Sequence, residues 1–204
     1  MAQKKSTPTW SKQTASFSRW LHIYLSMFCF LIVLFFSVTG ITLNHAEWFD
    51  GKQVETKLSG TIPAKWVNSP DTAKINKLMI VELLRKQYKV KGFVSDFLID
   101  DGQCSVSFRG PGYSADAYID RKNGKFQGSE LKLGLVAILN DLHKGRDTGN
   151  TWSWLIDVSA GFLTLISLTG LVMLLFLKKR RVNGLVLTVI GGIICLLIYY
   201  IWVA

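Results

Sequence analysis

Three histidines are present in the chain, and all of them lie near the ends of long apolar segments. His22 is near the start of the first segment, His45 follows its end, and His143 precedes the second segment. Imidazole is a common axial ligand of haem iron, and a bis-histidine site needs one ring from each of two facing segments. His45 and His143 are therefore candidate ligands of one haem if the first two apolar segments pack together.

Small and basic residues near these histidines are compatible with such a site. Gly40 and Gly170 would let a helix or a flat macrocycle approach, and Lys144 and Arg146 are candidate partners of haem propionates. The alternative is that the glycines serve helix packing, the basic residues cap a helix C-terminus, and each histidine is a solvated side chain at a membrane boundary. His22 has no second histidine on its side, so a haem there needs a ligand from elsewhere, such as a symmetric homodimer.

One acidic residue, Asp157, lies in the apolar flank of a predicted membrane segment. Ionisable groups inside membranes are candidate functional residues, although Trp154 is only three residues away and water can reach that depth. Two roles stay open for Asp157: a structural one, orienting a histidine or capping a backbone group, and one in proton or ligand chemistry. The chain has no glycine-rich phosphate loop, no His-Glu-x-x-His motif and no nucleophile framed by its own base, which argues against a self-contained soluble hydrolase or nucleotide enzyme.

Three apolar runs predict the elements that position these residues. Residues 21–43 contain no Asp, Glu, Lys or Arg, and as a helix they extend about 34 Å, enough to cross a bilayer. Uncharged runs at 158–177 and 185–204 predict two more transmembrane helices. The second helix is predicted at 152–177, because it begins with an aromatic pair at the headgroup level. We expect the first helix to be an uncleaved signal anchor, because its apolar part is too long for a signal peptide and no small-x-small cleavage site follows.

The net charge of +10 comes mostly from two short basic segments, whose positions indicate how the chain is oriented in a membrane. Segments 1–20 and 178–184 together carry eight basic residues and no acidic one, whereas the rest of the chain carries 16 basic and 14 acidic residues. The positive-inside rule then places segment 1–20 and the hairpin 178–184 in the cytoplasm and residues 46–151 outside. This distribution is unlike the charged surface of a nucleic-acid-binding protein, so no nucleic-acid partner is expected.

Residues 46–151 predict a small α+β domain. A cap at Ser69 followed by Pro70 predicts a helix that runs to about Tyr88, and a second amphipathic helix is predicted at 129–143 with Ser129 as its cap. Alternating apolar residues between Gly and Asn turns predict three antiparallel strands, at 93–99, 103–109 and 113–119. The predicted fold is therefore membrane α-helical, with three transmembrane helices and an inserted small α+β extracytoplasmic domain.

Several short segments resemble the PepSY-associated transmembrane family of bacterial inner-membrane proteins. They are Arg-Trp-Leu-His at 19–22, Thr-Gly-Ile-Thr-Leu-Asn-His at 39–45, Asp-Leu-His-Lys-Gly-Arg at 141–146, and the residues Trp152, Trp154, Ile156 and Asp157. Between them, residues 71–126 resemble a PepSY module. The resemblance covers nearly the whole chain, and it implies a multi-pass protein of the bacterial inner membrane whose domain 46–151 is PepSY-like and periplasmic.

Larger relatives in that family are similar to haem-b ferric reductases, which pass electrons across the membrane to periplasmic ferric chelates. The resemblance implies that His45 and His143 ligate the iron of an outer haem b and that His22 matches an inner histidine position. This chain has fewer spans and fewer histidines than those relatives. The implied partners are membrane lipid, a second copy or another membrane subunit, and a periplasmic redox partner.

Other members of the family are regarded as accessory, regulatory or assembly proteins, and the PepSY module is associated with protease inhibition. The chain is therefore expected either to bind haem b and transfer electrons or to act as a non-catalytic accessory factor of a partner protein. It carries no flavin or nicotinamide motif, so an electron donor would be quinol or another protein.

Overall fold

The computed structural model of the chain describes residues 9–49 and 53–204. Residues 1–8 of the predicted cytoplasmic segment and residues 50–52 of the predicted α+β domain lie outside the described residues. The helices and strands are, in chain order, α1 (Thr9–Phe28), α2 (Phe30–Asn44), β1 (Val54–Thr61), α3 (Lys77–Tyr88), β2 (Phe93–Ile99), β3 (Gln103–Gly110), β4 (Tyr113–Asp120), β5 (Lys125–Lys132), α4 (Leu135–Lys144), α5 (Asn150–Phe176) and α6 (Arg181–Trp202).

Two compact units make up the chain. The membrane unit comprises Met1–Leu34 and Asp157–Ala204, and the sheet unit comprises Phe35–Ile156. Helices α2 and α5 each contribute residues to both units.

Helices α5 and α6 are long and apolar enough to cross a membrane. They contain 27 and 22 residues with mean hydropathies of 2.1 and 2.5, and they extend about 40 Å and about 33 Å. Both exceed the hydrocarbon thickness of a bilayer, which is about 30 Å. The turn between them is shorter than the predicted hairpin 178–184, because α6 already begins at Arg181.

The first predicted transmembrane helix, at 21–43, is not a single straight helix. Helices α1 and α2 meet at Cys29 with a bend of 58°, so the described residues contain two helices that can span a membrane, or three if the bent pair is one span. No proline or glycine is present at the bend. The N–H of Cys29 donates to Leu25 O and the carbonyl oxygen of Cys29 accepts from Val33 N, so the helical hydrogen bonds of this residue are kept. Ser26 Oγ donates to Ile23 O at 2.9 Å, a back-bond of the kind that bends helices.

In the sheet unit, five antiparallel strands form one sheet in the order β1-β5-β4-β3-β2. The three predicted strands are confirmed as β2, β3 and β4, with Val106 opposite Ala117 in the central pair. Strands β1 and β5 were not predicted. Their inward positions carry few apolar side chains: only Leu58 in β1 and Phe126 in β5 are buried apolar residues, while Gly128 and Glu130 occupy the other inward positions of β5.

One face of the sheet packs with α3 around the hydrophobic core. Phe108, Ile119 and Phe126 of the sheet and Ile80 and Leu84 of α3 are each at most 1% exposed. Because these side chains alternate along the strands and recur at helical spacing in α3, local periodicity is enough to select the buried face. The outward face of the sheet carries polar residues together with the exposed side chains of Leu98 and Tyr118.

Two predicted helix starts in this unit are wrong. Helix α3 begins at Lys77 rather than at Ser69, because Asn76 is the residue whose side chain caps it, accepting a hydrogen bond of 3.2 Å from Met79 N. The second helix does not begin at Ser129, which lies inside strand β5 opposite Lys57. Helix α4 begins at Leu135, because β5 extends to Lys132 by pairing on both sides with β1 and β4.

Candidate functional site

His143 lies in the last turn of α4, and its imidazole contacts residues of α2 that belong to the sheet unit. Its Nδ1 is 2.6 Å from Oγ1 of Thr39, a residue only 2% exposed. The edge of the Phe36 ring meets the imidazole at a centroid distance of 5.1 Å, and Gly40 lies against Cε1 of the ring. The imidazole is therefore half-buried in a fixed orientation against α2.

The Thr39 hydroxyl lies between the His143 ring and the backbone of α2. It is 2.6 Å from the carbonyl oxygen of Phe35, which can only accept. A hydroxyl proton directed to Phe35 O leaves the hydroxyl oxygen as an acceptor for Nδ1–H of His143. Nε2 makes no hydrogen bond to any residue that the structure describes. A hydrogen bond at one imidazole nitrogen is also found in metal-binding histidines, whose other nitrogen binds the metal.

Asp141, two residues before His143, ties α4 to the β3–β4 turn. Its side chain is 8% exposed, and Oδ2 accepts a hydrogen bond of 2.8 Å from Gly112 N. Its other oxygen, Oδ1, is 3.1 Å from Nη2 of Arg146. Asp141 opens the segment 141–146 that resembles the family, but the local sequence assigned it no role.

The residues on either side of Asp141 have partners of their own. Asn140 accepts a hydrogen bond of 2.7 Å from Thr42 Oγ1, and the carbonyl oxygen of Leu142 accepts one of 2.8 Å from Trp152 Nε1. Four consecutive residues, 140–143, are thus bound to α2, to the sheet or to the start of α5. This density of contacts makes the end of α4 a rigid support for the His143 ring.

The two candidate propionate partners differ in their surroundings. Arg146 is 60% exposed but already paired with Asp141, and its Nε lies 3.9 Å from Asp147 Oδ2. Lys144 is exposed and forms no ion pair within residues 9–49 and 53–204. Of the two, Lys144 is the cation that remains available to an anionic group, and binding of propionates by either stays a prediction.

His45 follows the end of α2 and has different neighbours from His143. Its ring stacks on Trp48 at a centroid distance of 3.8 Å, and its Nδ1 is 3.5 Å from Glu47 Oε1. The structure records no hydrogen bond or ring contact between His45 and His143. Six residues separate His45 from Thr39, which corresponds to about 9 Å along a helix and to a different face of it. A shared haem between His45 and His143 therefore stays a prediction.

His22 belongs to the membrane unit and contacts α5. Its Nδ1 is 3.1 Å from Ile166 O and 3.0 Å from Thr169 Oγ1. The Thr169 hydroxyl donates to Ile166 O at 2.9 Å, so both neighbours of Nδ1 act as acceptors. Gly170 lies against the ring, with His22 Cε1 3.2 Å from the position that a Cβ would take. Nδ1 of His22 thus faces a threonine oxygen, as Nδ1 of His143 does.

Asp157 is also in the membrane unit, near the start of that unit's part of α5. Its side chain is exposed, and no hydrogen bond or ion pair of this carboxylate is recorded among the described residues. Neither of the two roles considered for Asp157 gains support from its contacts.

The described side chains fit haem ligation in part. Each unit holds one histidine whose Nδ1 lies at 3.0 Å or less from a threonine oxygen and whose Nε2 would be the atom to ligate iron. Local sequence patterns assigned no role to these threonines, Thr39 and Thr169. The signal that finds them is a repeated Ser-x-Thr-Gly pattern at 37–40 and 167–170.

Comparison with protein families identifies a relationship over most of the chain. A family model described as Putative PepSY_TM-like matches residues 16–204. No curated protein matches the chain, and no solved structure matches it.

Proposed function

The chain belongs to the PepSY_TM-like family, a membrane-type family, and from that premise we propose that it is a multi-pass inner-membrane protein that binds haem b and transfers electrons. The observation that carries the proposal is His143, whose Nδ1–H is held by Thr39 while Nε2 has no partner among the described residues. In this proposal Nε2 of His143 would hold the haem iron, and His45 of the same unit is the candidate second ligand.

The charge distribution supports the orientation that the proposal assigns. Segments 1–20 and 178–184 carry basic residues and no acidic ones, so both are assigned to the cytoplasm and the sheet unit to the periplasm. Haem, when bound, supplies a one-electron couple. The chain's own residues would hold the iron through imidazole nitrogens, balance propionate charge through Lys144 and exclude water with apolar helices.

The test is a visible absorption spectrum of the full chain purified in detergent after expression with ample haem. We expect a Soret band in the wild type and a several-fold loss of haem in His143→Ala. Gln87→Ala is the matched control. Gln87 is a polar residue at the penultimate position of α3, which is the position that His143 has in α4, but its side chain is exposed. Absence of a Soret band in the wild type, or unchanged haem content in His143→Ala, would overturn the assignment.

The second candidate is a non-catalytic accessory, regulatory or assembly factor for a partner protein. It is favoured by the separate surroundings of His45 and His143 and by an open polar depression of about 760 Å³ on the sheet unit, lined by residues such as Gln103, Tyr118 and Gln127. Replacement of all three histidines separates the candidates. An accessory factor so changed would still complement a strain that lacks the protein, whereas an electron carrier would not.

A further inference from the structure

The surroundings of His22 and His143 repeat one arrangement in two parts of the chain. Each ring lies against a Thr-Gly pair of another helix, Thr169-Gly170 of α5 or Thr39-Gly40 of α2. In both cases Nδ1 faces the threonine oxygen, and Cε1 is the ring atom nearest to the glycine. The two arrangements lie in different units and involve partners 147 and 104 residues apart in the chain.

The sequence contains the same pattern at both places. Residues 37–40 read Ser-Val-Thr-Gly and residues 167–170 read Ser-Leu-Thr-Gly, and the pattern Ser-x-Thr-Gly occurs nowhere else in the chain. The only other Thr-Gly pair, at 148–149, follows Arg146-Asp147 and contacts no histidine among the described residues. The recurrence in sequence thus coincides with the recurrence in contacts.

The threonine of each pair has its own proton committed to the helix backbone. Thr39 donates to Phe35 O at 2.6 Å and Thr169 donates to Ile166 O at 2.9 Å. Such back-bonds are ordinary for threonine in helices, and a hydroxyl whose proton is directed to the backbone has its oxygen left as an acceptor. An imidazole that faces this oxygen is favoured to donate from Nδ1, and the lone pair of a neutral ring then resides on Nε2.

We propose that Thr39 and Thr169 are matched positioning residues that hold His143 and His22 as Nδ1–H tautomers, so that Nε2 of each ring is directed to ligate haem iron. The ligand role rests on the proposed function, whereas control of the tautomer does not. Each unit then has one histidine whose Nε2 is available to ligate iron. His22 has this role in the membrane unit as His143 has it in the sheet unit, and it is not a solvated residue at a membrane boundary.

The test is a nitrogen NMR measurement on the full chain in lipid nanodiscs without added haem, with histidine labelled in the ring. Only three histidines contribute, so single His→Gln variants assign the signals. We expect a protonated Nδ1 and an unprotonated Nε2 for both His22 and His143. A wild-type chain in which either ring is protonated at Nε2 instead would overturn the proposal.

Threonine variants test the cause of the tautomer. Thr39→Val removes the hydroxyl at nearly constant shape and is expected to change the His143 signals alone, and Thr169→Val those of His22 alone. Thr39→Ser and Thr169→Ser retain a hydroxyl and are expected to keep the wild-type signals even if the valine variants fold poorly. Thr164→Val is the matched control, because Thr164 makes the same back-bond in α5 without touching a histidine. Unchanged signals in both valine variants would refute the positioning role.

A haem titration then separates the two proposals. Loss of such a hydrogen-bond partner typically lowers metal affinity about 10- to 100-fold, so Thr39→Val should bind haem correspondingly more weakly than Thr39→Ser. If the wild type binds no haem but shows the expected tautomers, the proposed function and the ligand role fail and the positioning role stands. If haem binds equally well to the valine and serine variants, the positioning role in ligation fails and the proposed function stands.

Discussion

The carboxylate of Asp141 accepts a hydrogen bond of 2.8 Å from the backbone N–H of Gly112, which joins the β3–β4 turn to α4 two residues before His143. Gly112 has a positive φ of 64°, and a Cβ at this position would collide with Ile138 of α4. The turn and the helix therefore approach too closely for any residue but glycine. The position of the His143 ring depends on this contact as well as on Thr39.

Replacement of Asp141 tests that dependence. Asp141→Ala leaves the buried N–H of Gly112 without an acceptor and Arg146 without its nearer partner, so we expect a loss of about 2 to 3 kcal/mol in the free energy of unfolding. Hydrogen exchange of the full chain should show reduced protection in the β3–β4 turn and at the end of α4. Asp147→Asn, which suits the positive φ of that residue, is the control and should leave both protected.

Arg121 follows β4 and is a buried cation that binds two other loops of the sheet unit. It is 7% exposed and donates to the carbonyl oxygens of Val67, Ser69, Asp100 and Asp101. The planar guanidinium satisfies several acceptors at once, which a lysine ammonium or an apolar side chain of similar length does not.

We expect Arg121→Met to lower the free energy of unfolding by about 3 kcal/mol, because it removes four hydrogen bonds to buried and part-buried carbonyl oxygens at once. The measurement is the urea midpoint of the full chain in detergent, followed by circular dichroism. The neighbouring exposed residue provides the comparison: Lys122→Met should change the free energy of unfolding by less than about 0.5 kcal/mol. Equal midpoints for the two variants would show that Arg121 is not needed for stability.

Gly128 in β5 is required by the close packing of the sheet. It lies opposite Leu58 and Ala117, and a Cβ there would collide with the carbonyl oxygen of Asp116. Gly128→Ala is therefore expected to lower the free energy of unfolding by about 2 kcal/mol or more, measured by urea unfolding. Gly102→Ala is the control, since nothing lies within 4 Å of its Cβ position. A neutral effect of Gly128→Ala would mean that β4 and β5 are paired differently.

The pH dependence of stability is predicted from Tyr113. Burial raises its pKa to about 12, and the hydrogen bond that its hydroxyl donates to Glu130 at 2.9 Å acts in the same direction. Because the unfolded chain loses this proton near pH 10 and the folded chain does not, the free energy of unfolding falls as pH rises above about 10.

The measurement compares urea midpoints at about pH 9 and about pH 11. The wild type should lose more stability between these values than Tyr113→Phe, which has no proton to release. Tyr118→Phe serves as the control, because Tyr118 is 51% exposed, and it should behave as the wild type does. If Tyr113→Phe and the wild type lose equal stability, the folded-state pKa of Tyr113 is not raised.

Local patterns predicted much of the fold but missed two strands. Strands β2, β3 and β4 are recognisable because apolar residues alternate along them between glycine turns. Strand β5 is not, because its buried positions include Gly128 and Glu130, and Glu130 is accommodated only through Tyr113 and Lys132. The helix predicted from Ser129 failed for the same reason: pairing with β1 and β4 outweighs the helical spacing of a few leucines.

The sequence by itself indicated the family, the apolar helices and the three histidines as candidate ligands, because composition and short motifs are properties of the chain alone. Only the tertiary structure decided the bend at Cys29 and which residues face each imidazole. Thr39 and His143 are 104 residues apart, and Thr169 and His22 are 147 apart, so no local pattern could pair them. Those distant contacts, and no feature of the local sequence, bring a threonine oxygen to Nδ1 of each ring.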